Sequence, residues 1–205
     1  MTTTKTSGET SGTRRHASAE ERREQILRAA FSCFGDKGYH ATTMDDLVRA
    51  SGLSKGSLYW HFRGKEEVFL ALFDSFAAEL YGEWDAAAQS GADALEVLRR
   101  ECEIAVEILS NDRMGLLAWA EFLNHPTARK RMGEIYQTAR SKLGTIIERG
   151  RAEGSLREGP PCEEVAGALV GTIEGLLLQW LVDPDFALKR HVDSAWEVLM
   201  GGLRA

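Results

Sequence analysis

Three helix-start signals fall close together near the start of the chain, and they constrain its fold more than any other feature. Ser18 stands three residues before Glu21, Thr43 stands three before Asp46, and Ser54 directly precedes Lys55. A Ser or Thr oxygen accepts one of the first-turn N–H groups that has no partner inside the helix. An acidic residue three positions on returns the bond. Each signal opens an apolar-periodic run: Ile26, Leu27, Ala30 and Phe34 after the first, Leu47 and Val48 after the second, Leu58 and Phe62 after the third. Asp36-Lys37-Gly38, Ser51-Gly52-Leu53 and Arg63-Gly64 break the runs. The spacing predicts helices over residues 19–35, 44–50 and 55–61, the last two joined by a glycine turn. Helix, tight turn, short helix is the pattern of a helix-turn-helix.

Downstream the same reading continues. Helices are predicted over residues 65–88, 93–109, 112–124 with Asn111 as cap, 126–153 with Pro126 at its first position, and 162–182 after Pro160-Pro161. A last helix is predicted from Pro184, capped by Asp183, to about residue 200. No strand alternation and no internal repeat is visible. The expected fold is all-α, with about nine helices. It divides into an N-terminal arm (residues 1–17), a helix-turn-helix head (18–64) and a helical body (65–205).

Composition narrows the function classes. With 205 residues, 43% hydrophobic and 27% charged, the chain reads as an ordinary globular protein. Cys33, Cys102 and Cys162 are few, distant and odd in number, which fits a reducing, cytoplasmic setting without disulfides. The most apolar run, residues 165–182, holds Thr172, Glu174, Gln179 and three glycines, so no membrane span is expected. The five histidines show no metal-ligand spacing, and there is no phosphate loop, nucleophile elbow or HExxH. Hence no metal, no cofactor and no catalytic site is expected.

Charge is split along the chain. Residues 1–65 carry 11 basic and 7 acidic side chains, and residues 66–205 carry 14 and 24. A basic head on an acidic body fits a head that meets a polyanion. The third helix carries no carboxylate. Leu58 and Phe62 must face the core, which turns Lys55, Gly56, Ser57, Tyr59 and Trp60 elsewhere. Lys55 and Ser57 suit base edges, and Tyr59, His61 and Lys65 suit phosphates. Gly56 lets the backbone approach DNA, and Thr42 and Thr43 add hydroxyls at a helix N-terminus. Arg14 and Arg15 form a basic pair in the arm.

The run Thr42-Thr43-Met44, then Ser51 through Phe62, then Lys65-Glu66 resembles the tetracycline-repressor family of bacterial transcriptional regulators. Ile26 through Ala30, Phe34 and Lys37-Gly38-Tyr39 are similar to that family's first helix. The Tyr59-Trp60-His61-Phe62 tetrad resembles members that control multidrug efflux. The resemblance covers about residues 20–75. It implies an all-helical homodimer on a palindromic double-stranded DNA operator, with a variable ligand-binding and dimerisation body. It also implies DNA contacts at Thr43, Lys55, Gly56, Ser57, Tyr59, Trp60, His61 and Lys65.

The body offers two further sets. Gly167, Gly171 and Gly175 lie on one helix face, and Leu188, Val192, Trp196 and Leu199 form an apolar stripe on the next helix. Together they fit a four-helix dimer interface. Trp84, Trp119, Phe122, Tyr136 and Trp180 could wall a small-molecule pocket, with Glu121, Gln137 and Glu174 as polar anchors. Glu174 interrupts an apolar helix, so it needs a cation, a donor or a proton. The sequence reads as a repressor released from its operator by a small hydrophobic molecule. Two alternatives stay open: a dimeric DNA-binding regulator with no small-molecule ligand, or an enzyme or carrier body with an incidental helix-turn-helix.

Overall fold

The computed structural model describes residues 18–111, 113, 116, 117, 120, 123–183 and 185–205. Eight helices run through these residues: α1 (Ala19–Ala41), α2 (Met44–Ser51), α3 (Lys55–His61), α4 (Lys65–Ala88), α5 (Ala94–Ser110), α6 (Pro126–Glu153), α7 (Cys162–Val182) and α8 (Leu188–Gly201). The fold is all-α. The predicted 112–124 helix falls largely outside the described residues, as do the arm with Arg14 and Arg15, and Pro184.

Local chemistry sets most of the boundaries. Ser18 and Glu21 form a capping box, with Glu21 N donating to Ser18 Oγ at 3.1 Å. Thr43 and Asp46 form a second box, and Ser57 N donates to Ser54 Oγ at 3.1 Å. Gly52 ends α2 and Gly154 ends α6, both at positive φ (67° and 77°). A Cβ there would be strained, so glycine is the residue that stops each helix.

Two boundaries differ from expectation by more than a residue. α1 does not stop at Gly35. It runs to Ala41 across a kink at Gly38, where φ is 78°. The last helix opens at Leu188 rather than at Pro184. Asp183 closes α7 instead, its N–H donating to Gln179 O. Its carboxylate accepts from Asp185 N at 3.0 Å, which shapes a turn. Phe186 then stacks on His191 at 4.1 Å before the helix is under way.

Two cores share α4. The first joins Ile26, Ala30 and Phe34 of α1 to Leu47, Leu58 and the first half of α4, and takes in Ala128 and Met132 of α6. The second gathers Trp84, Leu98, Leu143, Ile147, Leu169 and Trp196. Helix α4 passes from one to the other, so the head is welded to the body through a continuous rod. Helix α7 is long and apolar enough to cross a membrane by length and composition, but it packs on α5, α6 and α8.

Candidate DNA interface and ligand cavity

Helix α3 is anchored by Leu58 and Phe62, which are buried in the first core. The rest of the helix faces outward. Lys55, Gly56, Tyr59 and Trp60 are exposed, and Ser57 and His61 are half-buried. Trp60 is 73% exposed and so does not cover α4. It sits edge-on to His61 with centroids 4.5 Å apart. Lys55 Nζ donates to Asp45 of α2 at 2.9 Å and lies 6.0 Å from the Tyr59 ring centroid. Burial, with help from Arg22 and Arg23, holds the His61 pKa below its ordinary value. That shift favours the neutral ring, which has one N–H to give. A Cβ on Gly56 would meet only Ser54 Oγ at 4.0 Å, so nothing inside the chain demands glycine there.

Two expected DNA contacts have interior roles instead. Thr42 is fully buried. Its hydroxyl bonds the carbonyls of Gly38 (2.8 Å) and Cys33 (3.1 Å), so it cannot reach a phosphate. Lys65 Nζ donates to the carbonyls of Tyr39 (2.7 Å), His40 (3.0 Å) and Thr42 (2.8 Å). All three of its N–H groups are spent on the negative end of α1. Its ammonium clasps α1 to the start of α4. Thr43 is exposed, but its hydroxyl is tied to the Asp46 carboxylate at 2.6 Å.

Sequence reading missed the groups that hold this head rigid. Asp46 pairs with Lys37 at 2.8 Å and with Arg49. The bond from Lys37, then those from Thr43, hold its carboxyl well below the usual carboxylate range. Gln25 Nε2 donates to Ser51 O at 2.7 Å and pins α1 to the end of α2. Asp46 was visible as a capping partner, but its cations come from separate turns and carried no local signal.

Beneath the head lies a cavity of about 540 Å³, walled by α1, α4, α5, α6 and α7. Its volume is in the range of small-molecule sites. Leu27, Arg28 and Phe31 of α1 reach it, as do Phe76 and Trp84 of α4 and Leu177 of α7. Phe31 and Phe76 meet with ring centroids 5.3 Å apart. Of the expected pocket residues, Trp84, Tyr136 and Glu174 line this cavity. Gln137 is exposed and does not line it. Trp180 also lies outside its wall, with Arg113 over its ring at 5.7 Å. Trp119, Glu121 and Phe122 lie outside the described residues.

Most polar groups around the cavity are already used. Tyr81 Oη donates to Ile135 O at 2.6 Å, and Trp84 Nε1 donates to Glu101 O at 2.8 Å. Burial raises Cys102 to about 12, so its thiol is inert at neutral pH. Glu174 keeps a half-buried carboxyl whose pKa burial raises, offset by its hydrogen-bonding neighbour Tyr136. Among the described residues, no group of three or more His, Cys, Asp or Glu is placed to hold a metal ion.

The expected dimer residues divide. Leu188 and Trp196 are buried within the subunit, and Leu199 is packed against its second core, so they are not a free stripe. Val192 is half-buried. Gly167 faces Arg140 Cδ, 3.5 Å from where its Cβ would be, whereas Gly171 and Gly175 face open space. The exposed large apolar side chains on these two helices are Leu178, Val182 and Val198.

The family model for bacterial regulatory proteins, tetR family, matches residues 26–72. The model for the BetI-type transcriptional repressor C-terminal region matches residues 113–200. The chain is 29% identical over 201 residues to the HTH-type transcriptional regulator TtgR of Pseudomonas putida, covering 88% of this chain and 92% of that one. It is 28% identical over 191 residues to the HTH-type transcriptional activator FasR of Mycolicibacterium smegmatis, covering 90% and 84%. SmeT, the repressor of the Stenotrophomonas maltophilia multidrug efflux pump SmeDEF, has been solved as a triclosan complex. That structure superposes with a TM-score of 0.79 at 26% identity over 90% of this chain and 92% of that one. Head, body and overall superposition agree: the chain belongs to the tetracycline-repressor family of DNA-binding transcriptional regulators.

Proposed function

We propose that this protein is a ligand-responsive repressor. In this reading it acts as a cytoplasmic homodimer on a palindromic operator and is released by a small hydrophobic molecule. Lys55, Gly56, Ser57 and Trp60 enter the major groove, with Thr43, Tyr59 and His61 beside the phosphates. Residues 18–64 form the DNA head, and residues 65–205 bind ligand and dimerise. No catalytic or metal site takes part. The observation that carries the reading is the wall of the cavity. It includes α1 and α4, which hold the head, and α7, whose Leu178 borders the cavity and is also exposed, one turn from exposed Val182. A molecule filling that space presses on the head and on the prospective dimer face at once.

The dimer reading is supported by the open faces of Gly171 and Gly175 and by the exposed apolar residues of α7 and α8. Two copies joined there present two α3 helices, as a palindrome one DNA turn apart requires. The ligand must bind the free and DNA-bound geometries with different affinity, or nothing shifts. Selection of bound fragments from the source genome, followed by footprinting, tests the first half; a single palindrome is the expected product. Titrating cavity-binding compounds against that operator tests the second. A saturating cavity ligand that leaves operator affinity unchanged would defeat the reading.

A further inference from the structure

We infer that the cavity is built for a lipophilic cation: an apolar molecule whose protonated amine is received by Glu174. The inference rests on the reading of the cavity as the effector site and adds the chemical class of its occupant.

The argument begins with what the wall has left to offer. Tyr81 and Trp84 line this space, and the hydroxyl of one and the indole N–H of the other are spent on backbone carbonyls. Glu24 and Arg28 stand on the exposed rim and satisfy each other, at 3.4 Å. Ser75 and Asn111 are exposed to water, and among the described residues of the wall the carboxylate that remains inside is Glu174, set on α7 among Val170, Ile173 and Leu177. Among the described residues its one hydrogen-bonding neighbour is Tyr136. A carboxylate has about four acceptor positions, and a single hydroxyl fills one of them. The remaining capacity belongs to a half-buried acid in an apolar chamber, where an unmet acceptor is costly.

A protonated amine supplies up to three donors and the opposite charge. Its own loss of water is offset only where such a partner waits. A carboxylate ligand meets the reverse situation. Arg28 is the one Lys or Arg among the described residues of the wall, and it is already paired at the rim. An anionic head would bring a like charge toward Glu174, with no further Lys or Arg among the described wall residues to neutralise either. Phe31, Phe76 and Leu178 line the same cavity and suit an alkyl or aryl tail.

A matched series separates charge from hydrophobicity: decylamine, decanol and decanoate, each below its micelle concentration. Binding is read by calorimetry, and release by fluorescence anisotropy of operator DNA, both at pH 7. Decylamine is expected to bind at least about tenfold tighter than decanol, in line with a charge-assisted hydrogen bond, and decanoate weakest. Glu174→Gln should bring the amine and the alcohol to near parity. Tyr136→Phe keeps the carboxylate and should keep the amine preference, so a collapsed fold in one variant does not decide the matter. If decanoate equals or exceeds decylamine, or if the preference survives Glu174→Gln, the cation inference is overturned. Decanol binding without any amine preference overturns the inference alone and leaves the effector site standing. If none of the three probes binds protein that still holds its operator, both readings fail.

Discussion

At residue scale, two lysines of the head carry the same charge to different ends. Lys65 gives its three N–H groups to the carbonyls of Tyr39, His40 and Thr42. Lys55 stands exposed and, among the described residues, is tied to Asp45 and the Tyr59 ring. Lys65→Met should therefore lower stability by about 1–3 kcal/mol, since three carbonyls lose their donor. Lys55→Ala should leave the melting temperature where it was and weaken operator binding. Paired thermal melts and anisotropy titrations check both. Glu101 makes a third prediction. It is 2% exposed, and one carboxylate oxygen has no partner. Burial, countered by Lys142 and Arg149 and aided by Asp85, lifts its pKa from 4.5 to about 7. Between those pH values the folded chain holds a proton that the unfolded chain has released. Stability from this group is thus fully present below about pH 4.5 and falls as pH rises to about 7, by a total on the order of 3 kcal/mol. Glu101→Gln should flatten that slope and raise the melting temperature at pH 8.

At the scale of elements, whatever depends on near neighbours was legible. The caps at Ser18, Thr43 and Ser54, Pro126 at the head of α6, and the glycine stops at Gly52 and Gly154 follow from side chains bonding within a turn. The helix-turn-helix follows from them in order. What could not be read was decided by partners far along the chain. Lys65 looks like a polar residue at a helix start, yet its partners are carbonyls at the end of α1, and the Thr42 hydroxyl turns back onto α1 across the Gly38 kink, which no local signal shows. Trp196 looks like interface, yet the second core claims it. Trp84, Tyr136 and Glu174 were legible as cavity residues by chemistry alone. Phe31 and Arg28 were not, because nothing local shows that α1 reaches the body. Gly150 escaped for the same reason. A Cβ there would lie 2.7 Å from Leu156 Cδ1 and 3.0 Å from Ala94 Cβ. Gly150→Ala gains about 1 kcal/mol of helix propensity but overpacks the crossing by about 1–3 kcal/mol. Thermal melts should show a net loss.

For the whole molecule, the proposed dimer turns on the outer faces of α7 and α8. Gly171→Ala meets nothing within 4 Å in its own subunit. It should firm the isolated chain slightly through helix propensity while weakening self-association, if a second copy packs there closely. Leu178→Glu, at a side chain 59% exposed, should yield monomers by sedimentation and abolish cooperative operator binding. Identical sedimentation for parent and variant would remove these faces from the dimer. The shared wall of the cavity has a further consequence, for how such a regulator changes over generations. Phe31 borders the head's core and the chamber alike. A substitution there that admits a new molecule also alters the seat of the DNA head. Drift in what the protein senses is thus tethered to what it can still grip. Positions on the far wall, such as Val170 and Ile173 of α7, are where that tether is slack.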